Sequence, residues 1–172
     1  MRAFSLVEVL VSLIIVSILV FALFSVMDVG SNSWFSADAS VQLRQEIIKV
    51  FMTMERELKE TRPAQINLTS GSSSSSLTFK IPQDNDGDST ILDASGNVEW
   101  SGNIVYALNG SGQIIRTASG SSSILAQNIA SLQFSRPSSA LDIIQIDITA
   151  QKNSDQGRLM QDAGQIIVKM RN

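Results

Sequence analysis

Phe4-Ser-Leu-Val-Glu-Val-Leu10 runs without a break into Val11-Ser-Leu-Ile-Ile-Val-Ser-Ile-Leu-Val-Phe-Ala-Leu-Phe-Ser-Val-Met27, and this stretch decides the architecture. From Val9 to Met27 there is no charge, no Gly and no Pro. As a helix, about nineteen such residues cross the roughly 30 Å hydrocarbon core of a bilayer. About fourteen Leu, Ile, Val and Phe, at roughly 0.3 to 0.6 kcal/mol each, favour insertion by about 4 to 8 kcal/mol. That exceeds the roughly 3 kcal/mol penalty of one central charge, and Glu8 lies near the end of the span. Ser12, Ser17 and Ser25 can bond to carbonyls one turn earlier and need no further role.

Other readings of this stretch differ in what they leave unexplained. A secretory signal peptide has a shorter apolar core behind a basic start, whereas here Arg2 is the one basic side chain and a carboxylate stands at the head. A plain signal anchor accounts for the length but not for Glu8. A buried core helix needs a domain able to surround it, and the remaining chain is too small and too polar for that.

The 172 residues allow one compact domain plus an anchoring element. The hydrophobic fraction of 44% and mean hydropathy of +0.14 average over two unlike parts. Outside the apolar stretch the hydrophobic share falls to about 38%, ordinary for a soluble domain. With a net charge of -3 and no run of basic residues, nucleic-acid binding by the isolated subunit is disfavoured. There is no Cys and no His, which removes thiolate chemistry, disulfides, the usual near-neutral proton shuttle and the usual zinc ligands. No Gly-Lys phosphate loop is present. No catalytic constellation emerges, and the chain reads as a structural protein rather than an enzyme.

An ionisable group at the head of a membrane helix is costly unless paired, and marks function by default. Ala3-Phe-Ser-Leu-Val-Glu8-Val-Leu10 followed by a transmembrane run resembles the N-terminal signal of the type IV pilin superfamily: pilins, minor pilins and the pseudopilins of type II secretion. The resemblance implies that prepilin peptidase cuts between Ala3 and Phe4 and methylates the new amino terminus of Phe4. It also implies that Glu8, fifth residue of the mature chain, serves assembly. Family members carry Gly before the cut more often than the Ala3 found here, and their leaders are usually longer and more basic than Met1-Arg-Ala3. The partners implied are other pilin or pseudopilin subunits, the peptidase and inner-membrane lipid. The implied location is the bacterial inner membrane, single-pass, with the head in the periplasm or outside and then in a filament.

Beyond Asp28, the polar stretch to Ser33 contains Gly30 and predicts a bend or irregularity. Helical periodicity resumes with Leu43, Ile47, Phe51, Met54 and Leu58, at steps of four, four, three and four, widened by Val50. Arg44, Glu46, Lys49, Glu55, Arg56, Lys59 and Glu60 occupy other faces, with Glu55 and Lys59 spaced to pair. Pro63 stops this helix. Residues 1–3 thus read as leader, 4–29 as transmembrane and assembly helix, 30–62 as amphipathic extracytoplasmic helix, and 63–172 as a β-rich head.

In the head, Ser70 to Ser76 reads as a flexible loop. Leu77–Ile81, Ile104–Leu108, Gln113–Thr117, Leu141–Ala150 and Gln165–Arg171 read as strands, with Asn109 to Gly112 turning a hairpin. Ile124 to Phe134 reads as a short helix leading into a strand. The fold class is α+β: a long N-terminal helix packed on a mainly antiparallel, pilin-like sheet domain. The order of Ile104-Val-Tyr-Ala-Leu108, a strand reaching Arg116, and then Ile124 to Phe134 is similar to minor pilins and J-type pseudopilins. There, a tyrosine strand pairs with one ending in Arg. Val168 to Asn172 resembles their last strand.

Asp84, Asp86 and Asp88 share a loop with Gly87, a set of oxygens that calcium can use. The spacing is not that of an EF-hand, since Gly87 is fourth from Asp84 and Ser95 stands at the twelfth position. The simpler reading is a solvated acidic turn, so no cofactor is expected, with calcium as the one candidate. The other class of function open to this sequence is a single-pass anchored protein whose β head binds a ligand outside any filament.

Overall fold

The computed structural model describes residues 5–154 and 157–171; the expected cleavage site, Ala3 and Phe4, lies outside the described residues. The described residues form one long helix followed by a 3-10 turn and eight strands, an α+β architecture. Helix α1 spans Leu6–Glu60, 55 residues and about 80 Å at 1.5 Å per residue. Ser5 caps its start: the Ser5 hydroxyl accepts from the Val7 amide and the Glu8 carboxylate accepts from the Ser5 amide at 3.2 Å, a capping box. Ser12 and Ser17 donate back to the carbonyls of Val9 and Leu13, as their positions suggested. The helix continues through Gly30 with no break in its helical course, against the irregularity read from the sequence. One Gly costs about 1 kcal/mol relative to Ala, too little to interrupt a ladder continued on both sides. At the other end Thr61 leaves the helix, Arg62 is extended ahead of Pro63, and Pro63–Gln65 makes a single 3-10 turn.

All of residues 5–31 are exposed, so no other described residue covers the apolar half of α1, which is long and apolar enough to cross a membrane. Burial begins at Ala39 and continues at Leu43, Ile47, Val50, Met54 and Leu58. Phe51 is half-buried at the margin of this stripe.

Two four-stranded antiparallel sheets share that core. One has the order β1-β6-β7-β8, with β1 Ser73–Ser74, β6 Ile129–Ser135, β7 Ile143–Asn153 and β8 Leu159–Lys169. The other has the order β2-β3-β4-β5, with β2 Ser76–Phe79, β3 Ile104–Leu108, β4 Ile114–Ala118 and β5 Ser121–Ala126. Ile144, Ile146 and Ile148 of β7 and Phe134 of β6 meet Phe79, Tyr106 and Ile114 of the second sheet and the α1 stripe in one buried cluster. The helix lies over β8 and β7. An added Cβ at Gly164 would stand 2.8 Å from both Ile47 and Phe51, so the absent side chain there lets α1 approach the sheet.

Several strand expectations need correction. The head carries two sheets rather than one. Part of the serine run at 70–76 is ordered, since Ser73 and Ser74 pair with Ser135 and Phe134; backbone pairing does not depend on an apolar side chain. No helix begins at Ile124. Ser121–Ala126 is the edge strand β5, and Asn128, with φ of 60°, turns the chain directly into β6, a left-handed conformation that Asn tolerates. The last two strands reach 11 residues each, so β8 starts well ahead of Gln165. The hairpin at 109–112 is present. Gly112 has φ of 68° there, and its carbonyl accepts from Ile129 at 2.9 Å.

Candidate functional site

Three places carry ionisable side chains in defined settings. The first is the N-terminus of α1. Glu8 is in the first helical turn, where its negative charge complements the positive end of the helix dipole. Its exposed carboxylate is held by the Ser5 amide, at the head of an apolar rod that no other described part of the chain covers.

The second joins helix to sheet. Glu57, one residue before the last buried Leu of the stripe, points into the head. There it accepts from the Tyr106 hydroxyl at 2.6 Å and from Arg116 Nε at 3.0 Å. Tyr106 and Arg116 face each other across the β3–β4 register, so the tyrosine strand does lie beside the strand bearing the arginine. Tyr106 is fully buried and its ring stacks on Phe79, with centroids 5.4 Å apart. Burial pushes the Tyr106 phenol far above its ordinary value, and the hydrogen bond to Glu57 and the Glu57 charge push it further. For Arg116, burial acts to lower the value, but the hydrogen bond and charge of Glu57 outweigh it and raise it. The chemistry of this cluster is that of a clamp. Its phenol stays protonated and its guanidinium stays charged, so neither is a proton donor near neutrality.

Glu57 is hidden in the sequence beside Leu58, the last apolar residue of the stripe. Its spacing was a usable signal: Val50, Met54 and Glu57 follow steps of four and three, which places a carboxylate on the buried face. Arg136 was missed as well. It is buried and donates to the carbonyls of Leu68 and Leu141, so it tacks two loops together.

The third place is the acidic loop. Asp84 and Asp86 do come together, joined by Glu99 rather than Asp88, with one oxygen from each within 4.8 Å of the others. Asp84 accepts from the amides of Gly87 and Ser89, Asp86 from Asp88, and Glu99 from Asn85. Asp88 turns away to the Thr90 hydroxyl and amide, which lower its pKa. Asp93 is lowered in the same way by the Asn97 amide and side chain. With one oxygen from each, the three carboxylates supply half or fewer of the six to eight oxygen ligands that calcium takes. Their present partners are the amides of a tight turn.

Compared with known proteins, the chain matches no family model, no curated protein and no solved structure.

Proposed function

We propose that this chain is a type IV pilin-like structural subunit, either a minor pilin or a J-type pseudopilin of type II secretion. In this reading, prepilin peptidase removes residues 1–3 and methylates Phe4. The apolar half of α1 anchors the subunit in the bacterial inner membrane with the head in the periplasm. The same apolar rod then packs with other subunits in a pilus or pseudopilus. The observation that carries the reading is Glu8: a carboxylate at the head of a rod whose residues 5–31 are all exposed, with no charge partner among the described residues. The new amine of one subunit and Glu8 of a neighbour would neutralise each other in low dielectric. There an unpaired member of either kind is expensive, and the pair helps select register.

The capping box supports a second reading. Hydrogen bonding to Ser5 gives Glu8 a local role, which suits a single-pass anchored β-domain binding protein that never enters a filament. One substitution separates the two, because Gln can replace Glu in a capping box without its charge. Under the filament reading, Glu8→Gln inserts normally in the membrane, keeps its helix and fails to assemble, as does Glu8→Ala. Normal incorporation of Glu8→Gln into filaments would refute the charge role. Mass spectrometry of the mature N-terminus is the companion test: methylated Phe4 supports the filament subunit, whereas an intact Met1 favours the anchor.

A further inference from the structure

The outer edge of β8 is an open row of backbone hydrogen-bonding groups. β8 is the last strand of its sheet and pairs with β7 over 11 consecutive residues with no bulge. The directions of its backbone groups follow from neighbouring bonds. The Gln151 amide donates to Asn128, on the β6 side of β7, while the Asp142 carbonyl accepts from Met170 in line with β8. Odd residues of β7 therefore face β6 and even ones face β8. In the register Ile148↔Gly164, the even residues of β8 bond to β7. The amides and carbonyls of Leu159, Gln161, Ala163, Gln165, Ile167 and Lys169 point out of the sheet.

The neighbouring bonds agree. Arg171, next in this odd series, donates to the Thr61 carbonyl, and the Ala163 amide is met only by the adjacent Asp162 side chain at 3.0 Å. Among the described residues, no other backbone bond engages this edge. Long edges are usually blunted by Pro, bulges or a dense row of Lys. β8 has no Pro and no bulge; its charges are Lys169 near one end and Asp162 on the inner side, the latter paired with Arg44 at 3.8 Å, so the middle of the outer edge carries no charge.

The exposed side chains along the edge also form a pattern. Leu159, Ala163 and Ile167 recur at every fourth residue, with Leu159 and Ile167 58% and 60% exposed. Gln161 and Gln165 lie between them. An incoming antiparallel strand would set aliphatic side chains against the first three and amides against the glutamines.

The geometry points to β8 as a docking edge that takes an extended, uncharged segment of another protein as a ninth strand, with aliphatic and amide side chains alternating on its exposed face. A second anchored copy is the wrong occupant. β8 is self-complementary about Ala163, pairing Leu159 with Ile167 and Gln161 with Gln165, but an antiparallel pair has its two-fold axis normal to the sheet. Arg44 lies at Asp162, Ile47 and Phe51 over Gly164, and Thr61 at Arg171, so α1 and β8 run side by side in the same direction. The two-fold would turn the membrane halves of two copies in opposite directions, and one bilayer cannot hold both. A free peptide is under no such constraint.

The probe is a fluorescein-labelled peptide copying Leu159 to Val168 with D162N, which has aliphatic and amide side chains and no side-chain charge, titrated by anisotropy against the full chain in detergent micelles. Saturable binding is expected. It should be weakened at least tenfold by Gln161→Pro, which removes an outward amide, and by Ile167→Lys, which places a charge on the docking face; Gln161→Ala should retain it. Residue-resolved hydrogen exchange gives a second readout that does not need the variants to fold. In the free protein the amides of Gln161, Gln165 and Ile167 should exchange fast beside slow Gly164, Ile166 and Val168, and should become protected with peptide. Absence of saturable binding, binding indifferent to both variants, or slow odd-numbered amides in the free chain would overturn the proposal. So would a dimer in micelles that Ile167→Lys dissolves, since that would seat a second copy on the edge.

Discussion

Glu57→Ala is the substitution with the most to say about how the head is held to the helix. It removes the acceptor of the buried Tyr106 hydroxyl and the counter-charge of Arg116 in one step. A buried hydroxyl left without a partner costs about 1 to 3 kcal/mol. Breaking a buried ion pair costs roughly 3 to 5 kcal/mol. Arg116 keeps a quarter of its side chain exposed and can turn partly to water, which reduces its share to about 1 to 2 kcal/mol. The sum is about 3 kcal/mol, or a fall in melting temperature of about 10 to 15 °C for a domain of this size. Near-ultraviolet circular dichroism of the full chain in micelles, which reports on the single Tyr and the two Trp, would follow the melt. Tyr106→Phe alone should cost about 1 kcal/mol, because Arg116 still holds the carboxylate. Adding it to Glu57→Ala should recover part of the loss, since no orphan phenol remains. A Glu57→Ala melting temperature within about 2 °C of the parent would refute the assignment of this cluster as the clamp.

Three further outcomes follow from other parts of the molecule. Because the folded Tyr106 has its pKa raised, its contribution to stability is complete below the ordinary tyrosine value near 10 and is lost as pH rises beyond it. Absorbance at the tyrosinate band should therefore appear only with alkaline unfolding, and a reversible titration near pH 10 in the folded chain would contradict the burial. Gly164→Val should destabilise the head by about 1 to 3 kcal/mol through overpacking against Ile47 and Phe51, read as a lower melting temperature; a neutral result would mean that α1 does not approach this closely. Calorimetric titration of the full chain with calcium to about 1 mM should give only heat of dilution. A saturable heat lost in Asp84→Asn would instead establish a metal site at Asp84, Asp86 and Glu99.

The helix was legible because both of its halves announce themselves by composition. The apolar half is a run no soluble core of this size can cover, and the other half repeats Leu43, Ile47, Met54 and Leu58 at helical steps. Local signals also found the β3–β4 hairpin, through Asn109 to Gly112. What stayed hidden was whatever depends on partners distant in sequence. Ser73 and Ser74 become a strand only because Ser135 and Phe134 lie alongside. The segment at Ile124 has an apolar pattern compatible with a helix, and the left-handed Asn128 decides otherwise. Among the ionisable residues, Asp84 and Asp86 were found as neighbours in sequence, whereas Glu99, fifteen positions from Asp84, joins them only through folding. Glu57 belongs to the same kind: its partners are 49 and 59 residues away.

The uninterrupted course of α1 has a mechanical consequence. A rod with no hinge at Gly30 carries tension from its apolar end to the head without first straightening a joint. Since the helix lies along β8 in the same direction, a pull along its axis loads the stripe from Leu43 to Leu58 and the Glu57 clamp in shear. Those contacts then bear the load together rather than peeling apart in turn, so detachment under force depends on a slow collective unfolding rate. A peeling geometry, with α1 drawn away from the sheet face, would load them one at a time and release the head at much lower force.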